Sequence, residues 1–449
     1  MVGLGASGMA AVRFLHELGA DIIVSEAAGR DQVKPADLAA LEAMGVSMEC
    51  GGHTQSFFRD ADLIVPSPGV PLDLPVIAGS RNRGATVAGE LALAAGRITA
   101  PVIGVTGSNG KTTVTSLIGH LLQSAGRQVF VGGNIGKPVL DYVRGPQQAE
   151  TVVLELSSFQ LEIAGEFRPQ LGLLLNISPD HLDRHSTMEE YAAAKRLLFK
   201  NQRQGDVVIL GADDPLVMAT EITTAGKVLR FGVRTDSHAR VAEHGVRLSV
   251  VISGHEVLEE YDLRATALDS LVNRLNAAAA ILAVRLLGCS RQAVQKGLGS
   301  FRPPAHRMSP VAEIGGVRYI DDSKGTNIGA VAAALASCGN RVILIAGGRN
   351  KGSDFRLLGP AVADHVKHLV LIGEAAAEME EQLGTLVPVV RADSMAKAVH
   401  LAAELARPGD TVLLSPGCAS FDMFNGYAHR GQVFQEAVAE LQKMHHECC

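Results

Sequence analysis

The chain has 449 residues, 47% of them hydrophobic and 20% charged, so at about 150 residues per domain it holds material for roughly three buried cores and is neither disordered nor fibrous. Its 41 Lys and Arg against 47 Asp and Glu leave a formal charge of −6, which disfavours nucleic-acid binding through bulk positive charge. Glycine, at 48 residues, exceeds its usual share of about 7%, as expected where many strands turn tightly into helices in an α/β protein.

The first segment runs from residue 1 to 92. Its start, MVGLGASGMAAVRFL, lacks the basic region, long apolar core and cleavage site of a secretory signal, so a cytoplasmic location is expected. Gly3, Gly5 and Gly8 match GxGxxG, whose glycines let backbone N–H groups approach a phosphate at a helix N-terminus. Only Met1 and Val2 precede the motif, so the first strand of this Rossmann-like unit is expected to be missing or mostly absent. ADIIVSE and ADLIVPS read as further strands, and Glu26 follows Gly8 by the interval of a ribose-binding acid in a nicotinamide enzyme. These features leave open a dinucleotide dehydrogenase, another nucleotide binder, or a structural turn.

A second segment, 93–299, begins with a buried-strand run, Val102 to Val105, that meets Thr106-Gly-Ser-Asn-Gly-Lys-Thr-Thr113 and then a helical pattern. Val105 stands where a strict phosphate-loop pattern has glycine, but the physics is intact. Gly107, Ser108, Asn109 and Gly110 can turn amides onto phosphates, Lys111 can reach the outer phosphate oxygens, and Thr112, followed by Thr113, can ligate Mg²⁺. Glu155 ends the strand VVLELSS, where a carboxylate must be solvated, paired or bound to a cation. NISPDHLDRH follows the strand LGLLL. His181 and His185 lack the Glu of a zinc HExxH motif, so Mg²⁺ and phosphate chemistry, or plain capping and surface duty, are the readings. Lys195 in YAAAKRLLF reads by itself as a solvated helix charge. The apolar run Ala277 to Val284 is far short of the about 20 residues that span a bilayer, so no membrane is expected.

After the break Phe301-Arg-Pro-Pro304 a third segment, 300–449, carries the strands VRYIDDS, RVILIAGG, HLVLIG and TVLLSPG around the helix GAVAAALASCG. Asp321-Asp-Ser-Lys-Gly-Thr-Asn327, Gly347-Gly-Arg-Asn-Lys351 and Ser415-Pro-Gly-Cys-Ala-Ser420 all fall at carboxyl ends of strands, the ligand edge of such sheets. Part of the polarity of the first has a capping excuse, but Lys324 does not. The architecture expected is three α/β domains in series: a Rossmann-like unit, a central parallel sheet of P-loop ATPase type, and a second Rossmann-like unit. Cys50, Cys289, Cys338, Cys418, Cys448 and Cys449 form no CxxC pair and read as free thiols, and the tail HHECC as a mobile terminus.

Taken together, TGSNGKTT, ELSSFQ, NISPDHLDRH, YAAAKRLLF, LVNRLNAA, AHR, DDSKGTN and SPGCASFDMF, in this order over essentially the whole chain, resemble the Mur ligase family. DDSKGTN with SPGCASFD is similar to the members that add D-glutamate to UDP-N-acetylmuramoyl-L-alanine in peptidoglycan precursor synthesis. The resemblance implies an ATP-dependent ligase that activates a carboxylate as an acyl phosphate for attack by an amine. It implies Lys111 on the phosphates, Thr112 and Glu155 on one Mg²⁺, His181 on a second, and Lys195 carbamylated by CO₂ into an anionic ligand. Asn273 and Asn276 would approach adenine, Arg307 the phosphates and ribose, Asp322 the ribose, and Lys324 the transferring phosphate. Thr326, Lys351, Ser420 and Tyr427, the last often phenylalanine in the family, would bind D-glutamate. Gly5, Ala6, Ser7 and the Ser25-Glu26 strand end would take the UDP-sugar, with Asn134, Ser157 and Gln160 guiding its peptide arm. Pro179 and Val272 depart from the family pattern, where an acidic residue and a histidine are common. A monomer is expected, and the segments are expected to close over one centre. The rivals are another Mur or folylpolyglutamate-type ligase, a nicotinamide oxidoreductase resting on residues 3 to 8 and Glu26, and a nucleotide-binding scaffold without turnover.

Overall fold

The structure, a computed structural model, describes residues 1–447 apart from 183, 220, 221, 223 and 340, so Cys448 and Cys449 lie outside the described residues. In the first unit, Ile23–Glu26 pairs in parallel with Ser47–Cys50, and Leu63–Ile64 with Thr86–Val87. Val2 lies between these two ribbons and bridges in parallel to both Ser25 and Pro66. Its N–H donates to Val65 O and its carbonyl accepts from Ser67 N, while Met1 O accepts from Ser25 N and Gly3 N donates to Ser25 O. The first strand, expected to be missing or mostly absent, is present only as this isolated bridge. Met1 to Gly3 occupy the central strand position, because a residue paired along both edges joins two ribbons even where the strand is too short for a regular ladder. The helix Ala6–Glu17 follows, and Gly8 is required there by space: a Cβ on it would lie 2.5 Å from Gly3 O.

The central unit is one nine-stranded sheet. Val129–Gly133, Thr151–Glu155, Val102–Thr106, Leu171–Leu174, Val207–Gly211, Lys227–Gly232 and Ala239–Ala242 lie side by side in that order, all parallel. The expected parallel sheet is corrected at one edge, where Gly245–Ile252 runs antiparallel to Ala239–Ala242 and to His255–Asp262. Val246, Leu248 and Val250 point inward, while Arg247 and Ser249 face out. Ser253 and Gly254, at φ 50° and 82°, form the two-residue turn that suits such a hairpin. Both faces of the inner strands are buried, so their sequences are continuously apolar rather than alternating. Lys111–Ser124, Leu271–Leu286 and Arg291–Ser300 cover one face, with the whole run Ala277 to Val284 inside. No helix among the described residues is long and apolar enough to cross a membrane. The opposite face shares its apolar core with the first unit, joining Met9, Val12 and Phe14 to Leu140, Tyr142 and Leu154.

The third unit is a six-stranded sheet in the order Ser309–Ile314, Val317–Asp321, Thr411–Leu414, Val342–Gly347, Val366–Ile372, Val389–Arg391, parallel except for its first strand. Its helices cover both faces in two separate apolar clusters. The glycine-rich and polar loops leave the carboxyl ends of the strands, which positions them toward the central unit. Cys50, Cys289, Cys338 and Cys418 are free.

Because the backbone of Val2 pairs with Val65 and Ser67 between the two ribbons, Val2→Pro deletes the N–H given to Val65 and leaves a buried carbonyl without its donor. The expected cost is about 2 kcal/mol, read as a lower urea midpoint and faster proteolysis within residues 1–92.

Candidate active site

The strand Val102–Thr106 delivers its chain directly into the loop that opens the helix Lys111–Ser124. Gly110 caps that helix at φ 81°, in the left-handed region, and a Cβ there would lie 2.5 Å from Asn276 Oδ1. Asn276 is buried and gives its Nδ2 to Asn273 Oδ1 at 3.3 Å, while Asn273 Nδ2 donates to Ala267 O at 3.2 Å. The loop is braced from below: Asn109 N donates to Asn176 Oδ1 at 2.8 Å, and Ser108 Oγ donates to Ser178 O at 3.0 Å. Thr113 is buried in the first helical turn.

Two lysines converge on this loop. Lys111 Nζ donates to Gly107 O at 2.8 Å and to Ser108 O at 2.9 Å, and Lys195 Nζ donates to the same Gly107 O at 2.8 Å. Lys195 is only 1% exposed, with its ammonium 4.3 Å from the centre of the Tyr191 ring, so its reading as a solvated helix charge is corrected. The helix Met188–Arg196 packs that side inward through Tyr191, Ala192 and Ala194, and a lysine on the same stripe has nowhere else to go. Burial, and then the neighbouring Lys111, push the Lys195 ammonium well below its ordinary pKa, against the attraction of Asp180 and Glu155. Burial also lowers Lys111 and Arg307.

Glu155 ends the strand next to the loop and is 2% exposed. Its Oε1 accepts from Asn134 Nδ2 at 2.8 Å, but Oε2 is buried with no hydrogen-bond partner. An orphaned carboxylate oxygen beside a phosphate loop fits a divalent cation. Among the described residues no three His, Cys, Asp or Glu side chains gather into a ready cage. That suits Mg²⁺, which takes one or two carboxylates and completes its shell from phosphates and water, better than a zinc site. His181 sits in the left-handed region at φ 55°, its ring edge-on to Phe159 at 5.0 Å. His185 is buried rather than superficial, with Nε2 3.0 Å from Ser158 Oγ.

The third unit closes the site from above. Arg307 Nη2 donates to Thr112 Oγ1 at 2.6 Å. Asn327 caps the helix Ile328–Cys338 and exchanges amide hydrogen bonds with Asn109 at 3.1 and 3.2 Å. Lys351 Nζ lies 2.5 Å from Asp180 Oδ1, and Asn327 Nδ2 donates to Asp180 Oδ2 at 3.0 Å. Burial alone raises Asp180, but Lys351 and His181 outweigh it and hold the carboxyl below its ordinary range. Lys324 stacks on Tyr427, its Nζ 3.8 Å from the ring centre, and burial with Arg307 nearby lowers it to about 8. Lys111, Lys195, Arg307, Lys324 and Lys351 thus crowd against Glu155 and Asp180, a positive excess matched to a polyanion such as a nucleotide triphosphate. Asp322 does not redress it, because burial carries it up to about 7; it accepts from Ser415 Oγ at 2.8 Å and Met308 N at 3.2 Å. Thr326 is half-buried beside Asn327, and Ser420 is buried in the opposite loop.

Other residues singled out from the sequence have local occupations. Ser157 and Gln160 form a capping box on the helix Ser158–Glu162. Gly5, Ala6 and the half-buried Ser7 form the start of the helix Ala6–Glu17, which lacks a side-chain cap. Ser25 is buried and bonded to Glu49 Oε1 at 2.6 Å and His53 Nδ1 at 2.7 Å. Glu26 accepts from Leu4 N at 2.6 Å and Ala28 N at 2.9 Å, so its carboxylate braces the glycine loop instead of standing free for a ribose. Between this unit and the central one lies a cavity of about 670 Å³ lined by Gly69, Leu72, Phe159, Glu162, His181 and Arg184.

Sequence reasoning missed Asp180, Asn327 as a cross-unit contact, and Arg430. Arg430 is fully buried in the helix Tyr427–Glu447 and ties two loops together, giving Nε to Ser323 Oγ at 3.1 Å, Nη2 to Ser323 O at 2.8 Å and Nη1 to Cys418 O at 3.2 Å. Nothing in its local sequence separates it from a surface arginine, because its acceptors lie on distant loops.

The Mur ligase middle domain description matches residues 105–284, the Mur ligase glutamate ligase domain 306–418, and the Mur ligase MurD-like N-terminal domain 1–89. The chain is 47% identical to the UDP-N-acetylmuramoylalanine--D-glutamate ligase of Desulfotalea psychrophila, over 98% of this chain and 96% of that one. It is 42% identical to the protein of the same name from Pelotomaculum thermopropionicum, over 99% and 97%. Among solved structures it is similar to the UDP-N-acetylmuramate-alanine ligase of Thermotoga maritima, with a TM-score of 0.59 and 21% identity over 98% of each chain. It is also similar to a pseudomurein peptide ligase type C from Methanothermus fervidus, with a TM-score of 0.60 and 18% identity over 98% and 99%.

Two expectations follow from the packing. Arg430→Lys keeps the charge but cannot fork to both loops, and is expected to lower stability by about 2 kcal/mol in chemical denaturation. Asp322, raised to about 7, keeps a proton in the folded chain that the unfolded chain releases near ~pH 4. Its contribution to stability therefore falls as pH rises through that window, and thermal melts of Asp322→Asn should show a shallower decline between about pH 4 and 7 than the parent.

Proposed function

The chain belongs to the Mur ligase family, and from that premise we propose that it joins D-glutamate to UDP-N-acetylmuramoyl-L-alanine with cleavage of ATP, in peptidoglycan precursor synthesis. The observation that carries the reading is the convergence of the phosphate loop, the orphaned Glu155 oxygen and Lys351 in one buried cluster drawn from two units. The units fall at 1–92 for the UDP-sugar, 93–299 for ATP and 300–449 for the amino acid, working as a cytoplasmic monomer.

A carboxylate does not condense with an amine unaided in water, so the alanyl carboxylate first attacks the γ-phosphorus of ATP. A bond forms from carboxylate oxygen to phosphorus as the bond to the ADP oxygen breaks, giving an acyl phosphate. Such transfer is mostly positioning and charge neutralisation. Lys111, Arg307 and Lys324 supply cations to the phosphoryl oxygens. Gly107, Ser108, Asn109, Gly110, Thr112 and Thr113 shape the loop around the phosphates. Asn273 and Asn276 lie toward adenine and Asp322 toward ribose. Glu155 and Thr112 would hold one Mg²⁺ and His181 would help to hold a second; when bound, Mg²⁺ neutralises phosphate charge.

Lys195 is suited to react with CO₂, because a buried lysine with a depressed pKa presents a free amine. Its nitrogen lone pair attacks the carbon and the displaced proton goes to solvent. The resulting carbamate is an anion, which would relieve the crowding with Lys111 and could serve as a further ligand for a second Mg²⁺. In the second half-reaction the D-glutamate amine attacks the acyl carbon and phosphate leaves. Thr326, Lys351, Ser420 and Tyr427 hold the acceptor carboxylates. Gly5, Ala6, Ser7 and Ser25 take the UDP-sugar, and Asn134, Ser157 and Gln160 steer its peptide arm.

Phosphate release from ATP with Mg²⁺, bicarbonate and UDP-N-acetylmuramoyl-L-alanine is expected to depend on D-glutamate and to stay silent with L-glutamate. Stimulation by a different amino acid or by a folate in the same assay overturns the substrate assignment. Lys195→Ala should lose turnover by ~100-fold or more, and excess bicarbonate should not restore it.

A further inference from the structure

Glu90 carries a carboxylate into an apolar cluster, and no motif accounts for it. It opens the helix Glu90–Ala94 at the join between the first and central units, is 5% exposed, and has Leu91, Val139 and Leu140 of the shared core as neighbours. Its Oε1 accepts from Leu140 N at 3.1 Å, while Oε2 is buried with no hydrogen-bond partner among the described residues. The helix Val139–Arg144 has no side-chain cap of its own, because Pro138 stands at its N-cap, so the Glu90 carboxylate caps it from another element. Burial raises the Glu90 pKa, and the Ser7 hydroxyl, then the Leu140 and Val139 N–H groups, pull it part of the way back, with Asp141 opposing them.

These partners belong to two different loops. Ser7 lies in the first turn of the helix Ala6–Glu17, with Gly5 at its N-cap. Leu140 follows the loop 133–137, which is closed by Gly133 N donating to Lys137 O at 3.0 Å and presents Asn134, whose Nδ2 donates to Glu155 Oε1 at 2.8 Å. The far ends of the two helices are joined as well, Arg144 Nε donating to Glu17 Oε1 at 3.0 Å. Ala6–Glu17 and Val139–Arg144 therefore lie side by side in one direction, their N-terminal ends converging on one carboxylate.

We propose that Glu90 is a positioning residue for the UDP-substrate, fixing the loop that takes its UDP-sugar against the loop that guides its peptide arm. This inference rests on the ligase reading and deepens it. A substrate that spans both loops is held at both ends only when their separation matches its length, and its alanyl carboxylate reaches the phosphate loop only in that register. A ligand held by the first loop alone is indifferent to the separation. A carboxylate suits the task because it accepts on both oxygens and donates on neither. An amide in its place accepts on one side only, and so serves one loop or the other but not both.

The test measures, on the full-length protein by calorimetry, the Kd of UDP and that of UDP-N-acetylmuramoyl-L-alanine. In Glu90→Gln the full substrate is expected to bind about tenfold more weakly, with UDP unchanged within about twofold. The KM values in phosphate release should split in the same way, rising for the UDP-substrate and holding for ATP and D-glutamate. Ser7→Ala should weaken the full substrate less in the Glu90→Gln background than in the wild type, because the tie is already cut. An equal loss of UDP and of the full substrate means that Glu90 only stabilises the first unit, and overturns the proposal. Unchanged binding of both ligands overturns it too, as do independent effects of Ser7→Ala and Glu90→Gln. If Glu90→Gln does not fold, Glu90→Met fills a similar length of the apolar cluster without charge and gives the same comparison. If neither variant folds, Glu90 is structural and the proposal falls. A wild-type protein that neither binds the UDP-substrate nor releases phosphate with D-glutamate overturns the ligase reading and the proposal with it, whereas wild-type turnover with the wrong split in the variants sinks the proposal only.

Discussion

The ammonium groups of Lys111 and Lys195 share a single backbone carbonyl, that of Gly107, and the carboxyl edge of the central sheet is organised around this crowding of positive charge. Two buried cations that close are tolerated only because the two helices that carry them are held by apolar packing on both faces of the sheet. Burial lowers both, with Lys111 adding to the effect at Lys195, and makes the neighbourhood a receptor for a polyanion or a place where one lysine can lose its charge. Glu155, with one oxygen bonded to Asn134 and the other without a partner, is the complementary half of the same arrangement.

The third unit meets that centre through polar contacts. Arg307 on Thr112, Asn327 on Asn109, and Lys351 on Asp180 are all charged or amide contacts between residues far apart in sequence. Contacts of this kind give register and orientation more than net stability, because desolvation offsets most of the Coulombic gain. The apolar clusters of the third unit, by contrast, are its own. An interface of this composition can exchange its internal partners for ligand groups, as a site that must admit an anionic nucleotide requires. Arg430 supplies the rigidity that the interface lacks, by holding the Ser323 and Cys418 loops in fixed relation from behind.

The first unit depends on a different economy of structure. Its central strand is reduced to Met1 to Gly3, yet the two ribbons remain joined because Val2 is paired on both sides and fully buried. Glu26 accepts from one amide of the glycine loop that follows, Leu4 N, and from Ala28 N in its own turn, which engages the acid on which a nicotinamide reading rested.

By itself the sequence determined the α/β class, the parallel character of the inner strands and the place of the phosphate loop. Each of these follows from short-range pattern: continuous apolar runs mark strands buried on both faces, and TGSNGKTT directly after such a run leaves few conformations open. The residue types at Lys111, Thr112, Glu155, Lys324 and Lys351 were legible for the same reason, being polar where the pattern demands a turn or a strand end. The hairpin at Gly245–Ile252 was not, because its alternation marks a strand without marking its partner or direction. Tertiary structure alone decided that Lys195 is buried, that Arg430 has its acceptors on two distant loops, and that Asp180 faces Lys351 across 171 positions of sequence. A charge reports its environment only when the chain has folded around it, so the same lysine or arginine reads as solvated surface in one dimension and as the hub of a buried network in three.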